Sequence, residues 1–269
     1  MTPFLVLLVL ALIQGLTEFL PVSSSGHLVL GRALLPGGDV LAANGSVEIW
    51  LHLGTLLAVV AYYRRELRTL VLGVLGLGPD AAAERRLALL LVVASVPAAV
   101  VGVGFEHELT AAFADPEIAA AALVATGLVL WTSRRLPLTG HDLRHVPFQA
   151  ALVVGVAQSL AILPGISRSG ATIVAGLAAG LSLEAAAAFS FLLAIPAILG
   201  AGLLEADALL EPGGPPLASI LAAVAVSAVS GFLALGLLVR LGRSGRLWTF
   251  APYCFTVGLF ALLVLGLSD

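Results

Sequence analysis

The sequence predicts an all-α integral membrane protein with six transmembrane helices, two re-entrant helical hairpins and an inverted-topology repeat. Composition is the first reason, because the 269 residues are 60% hydrophobic and only 11% charged, with a mean hydropathy of +1.10. Soluble domains are about 45–50% apolar and about 25% charged. The second reason is the alternation of arginine-bearing loops with apolar runs close to the roughly 20 residues that cross a bilayer as a helix. The third is an internal repeat of a polar motif.

Six apolar runs are predicted to cross the membrane, and four pieces are predicted to form hairpins at roughly residues 3–35 and 146–183, given the usual boundary error. The crossings are Val47–Tyr63, Leu87–Gly104, Glu117–Trp131, Ala185–Leu204, Leu217–Val239 and Thr249–Leu267. The hairpin pieces are Pro3–Leu20 with Leu28–Leu35, and Val146–Leu163 with Ala171–Leu183. A cluster of Pro, Ser and Gly interrupts each pair, and irregular backbone survives at membrane depth only where protein buries it or where it lines a cavity.

Positive charge predicts the orientation, because short cytoplasmic loops are enriched in basic residues. Arginines cluster at 64–86, 134–144 and 240–246, whereas the segments 106–115 and 205–211 are acidic. One crossing between consecutive loops then places both termini outside. The first hairpin therefore enters from the outer face and the second from the cytoplasmic face.

The internal repeat supports this inverted arrangement. Gln14–Gly26 aligns without gaps on Gln158–Gly170, with identical residues at the Gln, one Leu, two Ser and the final Gly. The chain is therefore predicted to be a single membrane domain, 1–269, built of two inverted repeats at 1–135 and 145–269. Such repeats with broken helices place a polar site near mid-membrane at the repeat interface.

The first hairpin carries a dense polar cluster. Gln14 and Glu18 lie four residues apart on one helical face, and the motif Pro21-Val-Ser-Ser-Ser-Gly-His27 follows. Small residues such as Ser and Gly also allow close helix packing. Packing does not explain Glu18 or His27, and ionisable groups inside a membrane indicate a functional site.

The second hairpin places a cation among hydroxyls, in the motif Pro164-Gly-Ile-Ser-Arg-Ser-Gly-Ala-Thr172. The planar donors of Arg168 and the N–H groups of a helix N-terminus both suit an anion such as phosphate. The alternative is an arginine that caps a neighbouring helix. We favour an anion site because a charge at membrane depth is costly.

Together these groups indicate phosphoryl transfer. A divalent cation on Glu18 would neutralise a diphosphate, and Arg168 would stabilise its equatorial oxygens. Hydroxyl attack needs a base, and His27 lies three residues beyond Ser24. Three nucleophiles stay open on these residues alone: Ser24, His27 and a metal-activated water.

Other features of the sequence allow further readings. His52 and Glu48, on one helical face, are predicted to form a buried hydrogen-bonded pair in which His52 is structural, while the role of Glu48 is left open. The single cysteine, Cys254, cannot form an intrachain disulfide, and nothing suggests nucleic acid binding.

A transporter or flippase would share the inverted-repeat architecture and would bind the anion without turnover. A purely structural subunit leaves Glu18, His27 and Arg168 unexplained.

At these motifs the chain resembles the undecaprenyl-diphosphatase family of bacterial bacitracin-resistance proteins. The resemblance is carried by Gln14–Glu18, Pro21–His27 and Pro164–Thr172, and extends more weakly through Glu48–Ala58 and Phe189–Pro196. It implies a membrane lipid phosphatase that converts undecaprenyl diphosphate to undecaprenyl phosphate and phosphate, recycles the carrier for peptidoglycan synthesis and confers bacitracin resistance. It also implies that the protein lies in the bacterial cell membrane, that its site opens to the outer side and that it needs a divalent cation, Mg²⁺ or Ca²⁺. The sequence does not decide the oligomeric state, and a homodimer is one alternative.

The resemblance also implies roles for individual residues. It implies that the catalytic residues are Glu18, Ser24, His27 and Arg168. The residues implied to bind phosphate are Ser23, Ser25, Gly26, Ser167, Ser169, Gly170 and Thr172. The implied metal ligands are Glu18 and Gln14. Two positions depart from the pattern, because many members have Glu where Gln14 and Ala188 stand. The chain therefore offers a metal one carboxylate fewer and has no acidic group at 188.

Overall fold

The computed structural model describes residues 2–34, 46–78, 80–204, 215–243 and 245–267. Within these ranges the chain forms twelve α-helices and no named strand. In chain order, α1 to α12 are Pro3–Phe19, Ser24–Leu34, Ser46–Tyr62, Arg64–Val74, Ala81–Gly104, Glu106–Phe113, Pro116–Thr132, Phe148–Leu160, Arg168–Ala178, Leu183–Leu204, Leu217–Arg243 and Ala251–Gly266. Short 3-10 helices lie at Ser133–Arg135, Leu143–His145 and Leu247–Phe250.

The prediction of an all-α membrane protein is confirmed. Among the described residues five spans are long and apolar enough to cross a membrane, and they correspond to α5, α7, α10, α11 and α12. The sixth predicted crossing is α3, an apolar helix of 17 residues. The protein is therefore a multi-pass membrane protein whose remaining apolar helices, α1 and α8, lie where the hairpins are predicted.

Two segments predicted as loops are helical. Arg64 begins α4, and α5 begins at Ala81, six residues before the predicted start, so that Arg85 and Arg86 lie on a helix. Alanine is the strongest helix former, and three alanines followed by Glu84 begin α5. The predicted outer loop 106–115 contains α6, whereas the predicted outer loop 205–211 lies outside the described residues.

Each predicted hairpin is a helix, a tight turn and a second helix. Helix α1 ends at Phe19, and Leu20 is extended because the proline that follows disfavours the helical conformation. Ser23 has a φ of +67°, and it is the one non-glycine residue with positive φ in the described ranges. Helix α2 starts directly after it. In the second hairpin Ser167 is the N-cap of α9, and its hydroxyl accepts the N–H of Gly170 at 3.1 Å.

The two halves are packed across each other. Helix α1 packs on α11 and α8 packs on α5, so that each hairpin lies against the long helix of the other half. Glycines allow the contact: a Cβ on Gly15 would lie 2.5 Å from the carbonyl oxygen of Ser227, and one on Gly155 would lie 2.7 Å from that of Ala94. Helices α7 and α12 pack on each other. This arrangement brings the turns of the two hairpins together.

Candidate active site

The two turns touch through residues that correspond in the internal repeat. A Cβ on Gly26 would lie 2.8 Å from the Cα of Gly165, and one on Gly170 would lie 3.3 Å from the Cβ of Pro21. Gly26 aligns with Gly170, and Pro21 aligns with Gly165. The contacts are therefore a matched pair, as a pseudo-twofold between the hairpins requires.

Glu18 lies at the centre of this contact and is only 6% exposed. Its Oε2 accepts hydrogen bonds from the Ser24 hydroxyl at 2.6 Å and from the Gln14 amide at 3.0 Å. Its Oε1 forms an ion pair with the guanidinium of Arg168. A buried carboxylate needs such partners, because removal of a counterion from a buried pair costs about 3–5 kcal/mol. The structure thus joins three predicted site residues, Gln14, Ser24 and Arg168, to the carboxylate of a fourth.

Arg168 reaches this carboxylate from the first residue of α9. Its Nη2 meets Glu18, whereas its Nη1 is buried and has no hydrogen-bond partner among the described residues. An unpaired buried donor is costly, so such groups in native structures call for a ligand or an ordered water. Arg168 therefore keeps a donor available for an anion.

The other predicted hydroxyls brace the turns. Within each turn a serine pair lies 3.3 Å apart, Ser23 with Ser25 and Ser167 with Ser169. Two longer bonds of 3.4 Å cross between hairpins, from Ser23 to the carbonyl of Ile166 and from Ser169 to that of Leu20. Thr172 is fully buried and shares a 2.6 Å hydrogen bond with Ser190. Ser24 differs from these serines because its hydroxyl contacts the central carboxylate.

His27 does not form a hydrogen bond with the Ser24 hydroxyl, which lies three residues before it in the sequence. Its Nδ1 lies 2.7 Å from the carbonyl oxygen of Ser23, and its Nε2 lies 2.8 Å from the hydroxyl of Tyr253 on α12. The hydrogen bond of Ser24 goes to Glu18 rather than to His27. A carbonyl can only accept, so Nδ1 carries the proton and the Nε2 of neutral His27 accepts from Tyr253. No sequence pattern points to Tyr253, because it lies 226 residues from His27.

The predicted pair of His52 and Glu48 takes a different form. His52 Nδ1 bonds the backbone oxygen of Glu48 at 2.9 Å, and its Nε2 lies 3.8 Å from Glu18 Oε2. The carboxylate of Glu48 instead forms an ion pair with Arg32 at the end of α2. His52 therefore belongs to the surroundings of Glu18, and Arg32 and Glu48 add a second ion pair beside the site.

Comparison with known proteins decides the family. The sequence profile described as bacitracin resistance protein BacA matches residues 7–260. The chain belongs to the BacA family. Proteins named undecaprenyl-diphosphatase are similar to it along nearly their whole length. The relative from Desulfatibacillum aliphaticivorans is 41% identical over 273 residues, covering 97% of this chain and 98% of the relative. The one from Syntrophotalea carbinolica is 44% identical over 259 residues, covering 95% and 96%.

The BacA family resemblance implies a divalent cation, and the donor groups fit one in part. The described residues contain no group of three or more His, Cys, Asp or Glu able to hold a metal. The Oε1 of Gln14 is nevertheless buried without a hydrogen-bond partner, four residues from Glu18. Hard cations such as Mg²⁺ are often held by one or two carboxylates together with substrate phosphates. This BacA site therefore suits a cation that is completed by oxygens of a phosphate ligand.

Proposed function

We propose that this chain is a membrane phosphatase that hydrolyses undecaprenyl diphosphate to undecaprenyl phosphate and phosphate. The observation that carries the proposal is the contact of Ser24, Glu18 and Arg168 across the two hairpin turns. The group combines a hydroxyl, a proton acceptor and a phosphate-binding cation in one buried place. Relatives that match nearly the whole chain are named undecaprenyl-diphosphatase, which supports this substrate.

The geometry favours Ser24 among the three nucleophiles that the sequence leaves open. Its oxygen attacks the terminal phosphorus while its proton passes to Glu18 Oε2, which already accepts its hydrogen bond at 2.6 Å. The bond from that phosphorus to the bridging oxygen breaks, and undecaprenyl phosphate leaves. Water then cleaves the phosphoserine, releasing phosphate and restoring the Ser24 hydroxyl. Arg168 binds the transferred group through its unpaired Nη1.

His27 has a position suited to proton exchange with the surroundings. It lies three residues beyond Ser24, and its Nε2 is bonded to the hydroxyl of Tyr253, a residue that is 46% exposed at the surface of the protein. A hydroxyl can both donate and accept, so it stays bonded to neutral and to charged imidazole. We propose that His27 and Tyr253 pass protons between the site and the surface of the protein.

Charge balance supports a divalent cation as part of the proposal. The two glutamates, Glu18 and Glu48, are matched by Arg168 and Arg32, so these four side chains carry no net charge. A diphosphate would therefore enter without an excess of positive charge. Gln14 and the ionised form of Glu18 would hold the cation as the diphosphate binds, and the cation would supply that charge and polarise the phosphoryl oxygens.

The proposed setting is the bacterial cell membrane, with the site open to the outer side. The arginine clusters support that orientation, because α3 runs from the ion pair of Glu48 towards Arg64 and Arg65 at its far end. The ion pair beside the site therefore lies at the opposite end of α3 from these arginines.

Phosphate release from undecaprenyl diphosphate by the purified protein tests the proposal. We expect turnover that EDTA abolishes and that Mg²⁺ or Ca²⁺ restores. Glu18→Gln should be inactive, whereas the matched change Glu66→Gln, on exposed α4, should be neutral. Binding of the lipid without phosphate release would instead favour a flippase of the same architecture. Wild-type activity in Glu18→Gln would remove the central carboxylate from the mechanism.

A further inference from the structure

Thr126 on α7 holds the turn that precedes Arg168. Its side chain is 1% exposed, and its hydroxyl donates to the carbonyl of Gly165 at 2.8 Å. The same oxygen accepts the backbone N–H of Ser167 at 2.9 Å. A single hydroxyl thus bonds both ends of the three-residue segment that leads into Arg168.

This segment depends on bonds from outside its own hairpin. Gly165 has a φ of +95°, and a Cβ there would lie 2.2 Å from the carbonyl oxygen of Ala119 on α7. The turn is therefore pressed against α7, where water cannot readily replace a lost partner. Its buried carbonyl and N–H groups need protein partners, and Thr126 provides them.

The other hairpin has a weaker version of this brace. Cys254 on α12 is fully buried, and its thiol points to the carbonyl of Pro21 at 3.9 Å. Pro21 is the residue that aligns with Gly165 in the internal repeat. A thiol is a weak donor and makes one contact here, whereas the threonine hydroxyl makes two short ones. The stronger brace therefore lies on the side that carries the cation.

We propose that Thr126 is a positioning residue that sets the place of the Arg168 guanidinium relative to Glu18. Helix α9 begins at Arg168, directly after the N-cap Ser167 whose N–H Thr126 accepts. A shift of this turn moves the start of α9 and the guanidinium with it. The consequence for catalysis rests on the proposed phosphatase function, but the positioning itself does not.

The rate at which a reagent modifies Arg168 reports the position of its guanidinium and does not require turnover. Purified wild type, Thr126→Val, Thr126→Ser and Ser133→Ala are treated with phenylglyoxal, and peptide mass spectrometry follows Arg168 and Arg32 separately. The two arginines are matched, since both are ion-paired and their side chains are 18% and 21% exposed. Ser133 is a matched buried hydroxyl, bonded to a carbonyl of α7 but not to the turn.

We expect Thr126→Val to speed the modification of Arg168 severalfold and to leave Arg32 unchanged, while Thr126→Ser and Ser133→Ala behave as wild type. Equal acceleration at both arginines, or none at either, would overturn the proposal. In the phosphate-release assay, Thr126→Val should lose on the order of 10²-fold in kcat/KM, as a misplaced group does, and Thr126→Ser should retain activity. Absence of turnover in wild type would overturn the proposed function and leave the modification result standing.

Discussion

The ion pair between Glu18 and Arg168 is made by one residue from each half of the chain. In the internal repeat Arg168 aligns with Ser24, and Glu18 aligns with Ile162. The two hairpins thus supply different groups. The first supplies the carboxylate and the hydroxyl, and the second supplies the guanidinium. Neither half holds a complete site.

Substitution of Arg168 tests this division. Arg168→Lys keeps the charge but loses the planar donors, so activity should fall substantially, and Arg168→Ala should fall further. Arginine stabilisation of phosphoryl transfer is worth about 10³–10⁵ in rate in other systems. Steady-state kinetics of both purified variants measure the loss.

The kinetic constants distinguish two roles for this arginine. A loss in kcat indicates action on developing charge, and a loss in KM indicates ground-state binding. Arg168→Ala also leaves Glu18 buried without its counterion, so thermal unfolding of the variant serves as the control for folding. Near-normal kcat/KM in both variants would exclude Arg168 from the active site.

At this scale the sequence singled out polar residues that lie together in the structure, but it did not predict which of them contact each other. Glu18, Ser24 and Arg168 stand out because polar groups are expensive in an apolar chain. Their contacts depend on tertiary structure, so spacing suggested His27 as the partner of Ser24 where the structure has Glu18. Tyr253 and Thr126 resemble ordinary residues of apolar helices, and only the fold brings them to the hairpins.

The hairpins are the elements on which the site depends, and their turns fit together through glycine. A Cβ at Gly26 would lie 2.8 Å from the Cα of Gly165, and backbone cannot move aside as a flexible side chain can. We therefore expect Gly26→Ala to separate the turns, to weaken the contact of Ser24 and Glu18 with Arg168, and to lower phosphate release at least tenfold.

The matched control is Gly102→Ala on α5, where the added Cβ would meet no atom within 4 Å apart from its own helix backbone and chain neighbours. That change should leave activity intact and should slightly favour the helix, because alanine exceeds glycine in helix propensity by about 1 kcal/mol. If Gly26→Ala also keeps full activity, the turns are not held in contact during the reaction.

Apolar elements were predicted closely, and amphipathic ones were missed. The predicted piece Pro3–Leu20 became α1, Pro3–Phe19, because its hydropathy and the proline beyond it mark both ends. Helix α4 begins Arg-Arg-Glu, so a search for apolar runs passes over it. Its helicity comes from its own propensities and from packing on α5, which hydropathy does not register.

For the whole molecule, the arginine clusters predict an orientation that cysteine labelling can test. The native Cys254 is fully buried, so an impermeant maleimide should find little background. Leu77→Cys, at a 72% exposed position between α4 and α5, should react only after the cells are permeabilised. Glu108→Cys on α6 should react in intact cells. The reverse pattern would invert the topology and place the site on the cytoplasmic side.

The sequence does not predict the crossed packing of the two halves. The repeat at 14–26 and 158–170 predicts that the hairpins are related, but it does not say which helices cover them. That choice depends on the fit of small residues, such as Gly15 against Ser227 of α11, which has no periodic signature. The repeat boundaries at 1–135 and 145–269 stay a prediction.

This packing also sets an order of events during biosynthesis. Helix α1 leaves the ribosome well before α11, on which it packs, because α11 begins only at Leu217. The delay is roughly 200 residues, or about 10–40 s at translation rates of about 5–20 residues per second. For most of that time Glu18 lacks Arg168, which follows it by 150 residues, and α1 lacks the long helix that covers it. The helix that carries the central carboxylate thus completes its packing only after α11 has been made.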